Sequence, residues 1–200
     1  MSDWDEDSEQ SRENLLHTLS DIRDNATLRF TPTVEEARTW HQNIMNGLTT
    51  PAPEYVGRFR AELGLENIEV EVDGQLGVVS GQVEDDLQAF EQKLQKMVTL
   101  LDREIQRGQD MTADHVAAVI DLCAWVHAEW IRIHPFANGN GRTARLWANN
   151  IAMRYNLPPF VQLRPRPDGG YGTAAKSAMT GQWRLTVPVF RLLYKAFVRR

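Results

Sequence analysis

The sequence predicts an all-α fold carrying one small β-hairpin. Three observations lead there: most segments hold apolar residues at helical spacing, a single pair of β-prone runs flanks an Asp73-Gly74 step, and no internal repeat points to a solenoid. At 200 residues and 42% hydrophobic content the chain suits a single core.

The first seven residues, Met1-Ser2-Asp3-Trp4-Asp5-Glu6-Asp7, read as a disordered acidic tail. From Glu9 to Ile22, Leu15, Leu16, Leu19 and Ile22 keep helical spacing. Residues 1–32 thus form an acidic tail and helix ahead of a main domain at 33–200. Thr33, with Glu36 three residues on, predicts a capping box and a helix through Trp40 and Ile44 that stops near Gly47. Pro51 and Pro53 make residues 49–57 a loop. Ile68, Val70 and Val72 alternate with Glu69 and Glu71, and Leu76, Val78 and Val79 follow Asp73-Gly74, which predicts a hairpin over 68–79. Two strands alone are marginal, so this hairpin lies against the helices or serves as a flap.

Leu87, Phe90, Leu94, Met97, Leu101 and Ile105 predict a helix over 83–106. Thr112 caps another, from Ala113 to Ile133, apolar enough to be central and buried on most sides. His134-Pro135 ends it. The next helix starts at Asn140 or Gly141 and runs to Tyr155. A proline-rich stretch over 158–167 precedes two short helices, near 171–179 and 187–198.

A formal charge of -5 argues against a broad nucleic-acid surface. No apolar run approaches the roughly 20 residues of a membrane helix, and the acidic start is unlike a signal peptide. With Cys123 alone there is no disulfide framework, so the expected setting is cytoplasmic, without nucleic-acid or membrane partners. Arg142, Arg145, Arg154, Arg164 and Arg166 follow one another closely, a local basic cluster that fits a small anionic ligand.

The segment His134-Pro135-Phe136-Ala137-Asn138-Gly139-Asn140-Gly141-Arg142-Thr143-Ala144-Arg145 carries the chemistry. Gly139 and Gly141 flank a small amide at a helix N-terminus, where backbone N–H groups converge and the helix dipole favours an anion. Arg142 and Arg145 lie three apart in the first turns, and their forked guanidinium groups suit phosphate oxygens. His134 stands at the mouth as a neutral base at cytoplasmic pH.

This run resembles the motif of the Fic family, and Gly57-Arg58-Phe59-Arg60 is similar to that family's Gly-x-(Tyr/Phe)-Arg element. The resemblance covers residues 33–197 and implies a Fic-type helical bundle with the hairpin as flap. It implies transfer of AMP from ATP, with Mg²⁺ or Mn²⁺, to a Ser, Thr or Tyr hydroxyl of a target protein. His134 would be the general base, Phe136 an apolar anchor, and Gly139, Asn140 and Gly141 the phosphate cradle. Arg142 and Arg145 would hold the distal phosphates, Tyr171 would sit near the base, and Val70, Val72, Gly74 and Val78 would pair with the target.

Asn138 stands where the family usually has an acid, so it is a weakened metal ligand. The same fold with another transferred group (phosphoryl or phosphocholine type), or a catalytically weak binding module, is the alternative. Glu13-Asn14 and Glu66-Asn67 end like the family's self-inhibitory motif, but Glu9 and Glu62 replace its Ser or Thr. An antitoxin-like partner in trans is therefore one expected source of restraint.

Cys123, His127 and His115 have a spacing that could hold zinc but read as packing, as do Trp125, Trp130 and Trp147. Asp114 and Asp121 read as solvent-facing or capping. Arg164 and Arg166, between prolines, face either the phosphate pocket or solvent.

Overall fold

The computed structural model describes residues 8–72 and 74–199. The expected acidic tail at residues 1–7 and the turn residue Asp73 lie outside them. Helix α1 (Glu9–Ala26) starts where the Ser8 side chain accepts from the Ser11 amide at 3.0 Å. Helix α2 (Val34–Met45) opens with the expected capping box: the Thr33 amide donates to the Glu36 carboxylate at 2.9 Å. Helices α3 (Val83–Glu104), α4 (Ala113–Ile133), α5 (Asn140–Arg154), α6 (Tyr171–Met179) and α7 (Thr186–Val198) follow the predicted order.

Helix α4 is the axis of the bundle, packing against α3, α5, α6 and α7. Its apolar surface leaves it no other place, since exposing Trp125, Trp130, Val119 and Ile133 would forfeit roughly 1.5–3 kcal/mol for each large side chain. Trp130 also donates from Nε1 to Thr143 Oγ1 at 2.8 Å, tying α4 to the start of α5. Around it gather Phe59, Phe90, Phe136 and Trp147, with ring centroids within 6.2 Å of the Trp130 ring. This aromatic floor lies under the α4–α5 loop.

The hairpin forms, but it is shorter than the alternation predicts. Strands β1 (Glu71–Val72) and β2 (Gln75–Leu76) hold two residues each, with Glu71 opposite Leu76 and Val72 opposite Gln75. One more hydrogen bond crosses it, from the Gly77 amide to the Val70 carbonyl at 2.9 Å. Beyond that point the backbone finds other partners. The Arg60 guanidinium takes the carbonyls of Ile68 and Val78, and the Val78 amide donates to Arg132 on α4. The flanking residues are therefore fastened to the bundle instead of to each other.

Candidate active site

Helix α4 ends because His134 adopts the left-handed conformation (φ 54°, ψ 55°) and Pro135 follows. The loop then closes on itself. Asn140 Oδ1 accepts from the Phe136 amide at 2.9 Å, and its Nδ2 donates to the Phe136 carbonyl at 2.8 Å. Phe136 is fully buried, stacked 4.0 Å from the His41 ring. Gly139 supplies the positive φ (76°) that caps α5, and a Cβ there would lie 2.6 Å from Met45 Cε. The requirement for glycine is thus both conformational and steric.

His41 escaped the sequence reading. It sits on α2 in a core stripe with Ala37, Trp40 and Ile44, and a histidine in such a stripe is the signal that could have found it. The Gly57 amide donates to its Nδ1 at 2.9 Å. That places the ring proton on Nε2, which donates to the Asn138 carbonyl at 3.0 Å. Burial lowers its pKa to about 3. His41→Phe keeps the stacked ring but leaves an amide and a carbonyl unpaired, at an expected cost of about 2–4 kcal/mol. The sign with pH follows from the neutral form in the fold. This stabilisation is complete above pH 6.5, and unfolding takes up a proton as pH falls from there toward about 3. Thermal melts across that range should show a lower Tm and a shallower acid slope for the variant; unchanged values would refute the assignment.

His134 itself is oriented by its neighbours. Its Nδ1 lies 2.9 Å from the Ile131 carbonyl, which can only accept, so Nδ1 carries the proton and the lone pair is on Nε2. The flap packs directly behind it: a Cβ on Gly77 would come within 2.8 Å of His134 Cβ. Arg60 fastens the two together, donating from Nε to the His134 carbonyl at 2.8 Å.

His134 borders a cavity of about 380 Å³. His134, Asn138 and the Gly139-Asn140-Gly141 turn form one wall, with Arg145. Val70, Glu71 and Val72 of the flap form a second, and Tyr171, Lys176 and Arg166 a third. The expected flap residues therefore separate: Val70 and Val72 reach the cavity, while Gly74 forms the exposed turn and Val78 is half-buried against α4. Tyr171 is buried, with its hydroxyl 2.6 Å from His127 Nε2. Burial and the charge of Arg145 lower the His127 pKa to about 3, so that imidazole is neutral.

The expected five-arginine cluster divides by role. Arg145 is 5% exposed and lines the cavity, yet no carboxylate or hydrogen-bond acceptor among the described residues pairs with it. A Cβ on Gly141 would meet its Nη1 at 3.4 Å, so the guanidinium reaches back over the start of α5. A buried cation without a counter-ion, held at a helix N-terminus, can take an anion. Arg142 is 1% exposed and donates from Nη2 to Asn138 Oδ1 at 3.1 Å. Arg166 stands exposed at the rim. The other two serve the scaffold. Arg154 binds the Phe30 carbonyl and Asp102, and Arg164 donates to Ser11 Oγ.

The donors here do not fit a metal held by the protein. Asn138 brings no charge, and its Oδ1 already accepts from the Gly139 amide and from Arg142. Among the described residues no group of three or more His, Cys, Asp or Glu side chains could hold a metal. That applies equally to Cys123 and His127, both buried in the core, where burial pushes the thiol pKa up. Asp121 forms a two-pronged surface pair with Arg191, and Asp114 is exposed.

The sequence model of the Fic/DOC family matches residues 31–152. The "Protein adenylyltransferase Fic" of Drosophila erecta is 36% identical over 53 residues, which are 26% of this chain and 11% of that protein. Its namesake from Nematostella vectensis is 50% identical over 42 residues, 21% of this chain and 10% of the relative. Each match thus spans about a tenth of the curated relative. Among solved structures, the VirB-translocated Bartonella effector protein BepC from Bartonella tribocorum, with bound AMPPNP, superposes with a TM-score of 0.62. The identity is 17%, over 92% of this chain and 85% of that one. The N-terminal Fic domain of a Bartonella quintana protein with bound ADP gives 0.59 at 18% identity, over 92% and 84%. At these identities the likeness shows the fold.

Proposed function

The chain belongs to the Fic/DOC family, and from that premise we propose that it transfers AMP from ATP to a Ser, Thr or Tyr hydroxyl of a target protein. The observation that carries this reading is the buried, unpartnered Arg145 beside the Gly139-Asn140-Gly141 turn, with the lone pair of His134 on the same cavity. The relatives named protein adenylyltransferase support it at the level of the family.

The target hydroxyl oxygen attacks the α-phosphorus, its proton passes to His134 Nε2, and the bond to the pyrophosphate oxygen breaks with its electron pair. Pyrophosphate leaves. The turn amides and Arg145 hold the phosphate oxygens and stabilise charge that grows on them. A target segment pairing with the flap beside Val70 and Val72 would lay its hydroxyl against His134. Tyr171 would border the nucleoside. No step is routed through a metal. No helix among the described residues is long and apolar enough to cross a membrane. Restraint would come from a partner that offers a carboxylate to Arg145, as an antitoxin-like protein could.

The test is to incubate the protein with a cell lysate and ATP labelled at the α- or the γ-phosphate, with and without Mg²⁺. Label entering protein from the α-position alone is the expected result. Label from the γ-position alone would replace this reading with phosphoryl transfer. Label from neither would leave a nucleotide- or protein-binding module.

A further inference from the structure

The charges around the cavity are arranged unusually for a nucleotide site. A divalent cation that accompanies a polyphosphate is a hard ion and is held best by anionic oxygen. The loop position that faces the phosphates offers only Asn138, whose amide oxygen is drawn inward by the Gly139 N–H and by Arg142 Nη2 at 3.1 Å. A guanidinium therefore already lies against the one oxygen a cation would use. Of the described residues that line the cavity, the only carboxylate is Glu71, on the exposed flap strand. Cations are plentiful by contrast: Arg145 is buried without a counter-ion, and Arg166 and Lys176 line the same cavity.

We infer that this site takes its nucleotide polyphosphate as the metal-free anion, with fixed side-chain cations supplying the charge that a divalent ion supplies elsewhere. The inference rests on the reading of the cavity as a nucleotide site. Two consequences follow from electrostatics. A dication brought to the phosphates would meet the charge of Arg145, and among the described residues that line the cavity only Glu71 could offset it, so the metal complex of the nucleotide is the poorer ligand. The phosphates would instead be met by planar guanidinium forks, which match their oxygens and need no dehydration of a tightly hydrated ion.

Mn²⁺ resonance reads this directly on the unaltered protein. Free Mn²⁺ gives a sharp signal that is lost when the ion binds ADP or AMPPNP. Adding the protein to a preformed Mn²⁺–nucleotide complex is expected to restore the free signal, because the protein withdraws the nucleotide without its ion. A further fall in free Mn²⁺ would overturn the inference. Calorimetry supplies the second arm. Nucleotide affinity in EDTA is expected to equal or exceed that in Mg²⁺, and a loss of about tenfold or more on chelation would overturn it. Asn138→Asp is expected to reverse the preference, tightening binding in Mg²⁺ relative to EDTA by about tenfold, because it adds the missing charged ligand. Failure to bind nucleotide under either condition would overturn the nucleotide-site reading itself, an outcome separate from metal-dependent binding.

Discussion

Replacing His134 with alanine is expected to lower transfer by about a thousandfold while leaving nucleotide affinity within about threefold. The imidazole is held with Nδ1 on the Ile131 carbonyl and its lone pair on Nε2, so its removal takes away the proton acceptor and no phosphate ligand. The backbone is largely preserved. Alanine retains the Cβ against which Gly77 packs, although it must adopt the left-handed conformation that His134 holds at φ 54°, at roughly 1–2 kcal/mol. His134→Asn separates chemistry from structure, since its amide can still donate to Ile131 but cannot act as a base. Steady-state transfer, calorimetric affinity and Tm should be measured on both variants. If either variant transfers at near the wild-type rate, His134 is not the base. If both lose nucleotide binding in proportion to activity, its role is to shape the loop.

Much of this arrangement was legible in the sequence, for identifiable reasons. Thr33, Thr112 and the His134-Pro135 step mark helix ends through local hydrogen bonding and sterics, which neighbours along the chain decide. The Gly139-Asn140-Gly141 turn is local too, with Asn140 closing it across four residues. What the sequence could not convey is long-range. The Ile68–Val79 alternation predicts longer strands than form, because the partners that take the flanking backbone, Arg60 and Arg132, lie elsewhere in the chain. Five arginines in one stretch look like one cluster, yet Asp102 and Ser11, reached only by folding, draw two of them away. His41 holds the loop from α2, 97 residues distant, and its place in an apolar stripe marks its burial but not the partner it reaches.

Arg60→Met is expected to destabilise the protein by about 3–5 kcal/mol, because it strands acceptors that one buried cation now satisfies. The side chain is 1% exposed, and its guanidinium donates to four carbonyls: His134 at 2.8 Å, Ile68 at 2.9 Å, Val78 at 2.7 Å and Ile133 at 3.1 Å. Glu69, 3.3 Å away, keeps it paired against a burial that lowers its pKa, and Glu69 in turn accepts from the Ser80 amide. Methionine fills similar space and makes none of these bonds, while the backbone bond from the Arg60 amide to the Pro135 carbonyl survives. For a chain of this length the loss corresponds to a fall in Tm of roughly 6–20 °C. Stability is only half of the effect. Two of the four carbonyls belong to the flap and two to the end of α4, so the variant should loosen the flap from His134. Amide exchange at Gly77 and Val78 should then accelerate beyond what the global loss explains, and transfer should fall through kcat as well as KM. Arg60→Lys should lie between the two, since one ammonium has three protons for four carbonyls. An unaltered Tm, or flap exchange that rises no more than exchange in α3, would mean that the hairpin is held by its own packing and that Arg60 does not couple it to His134.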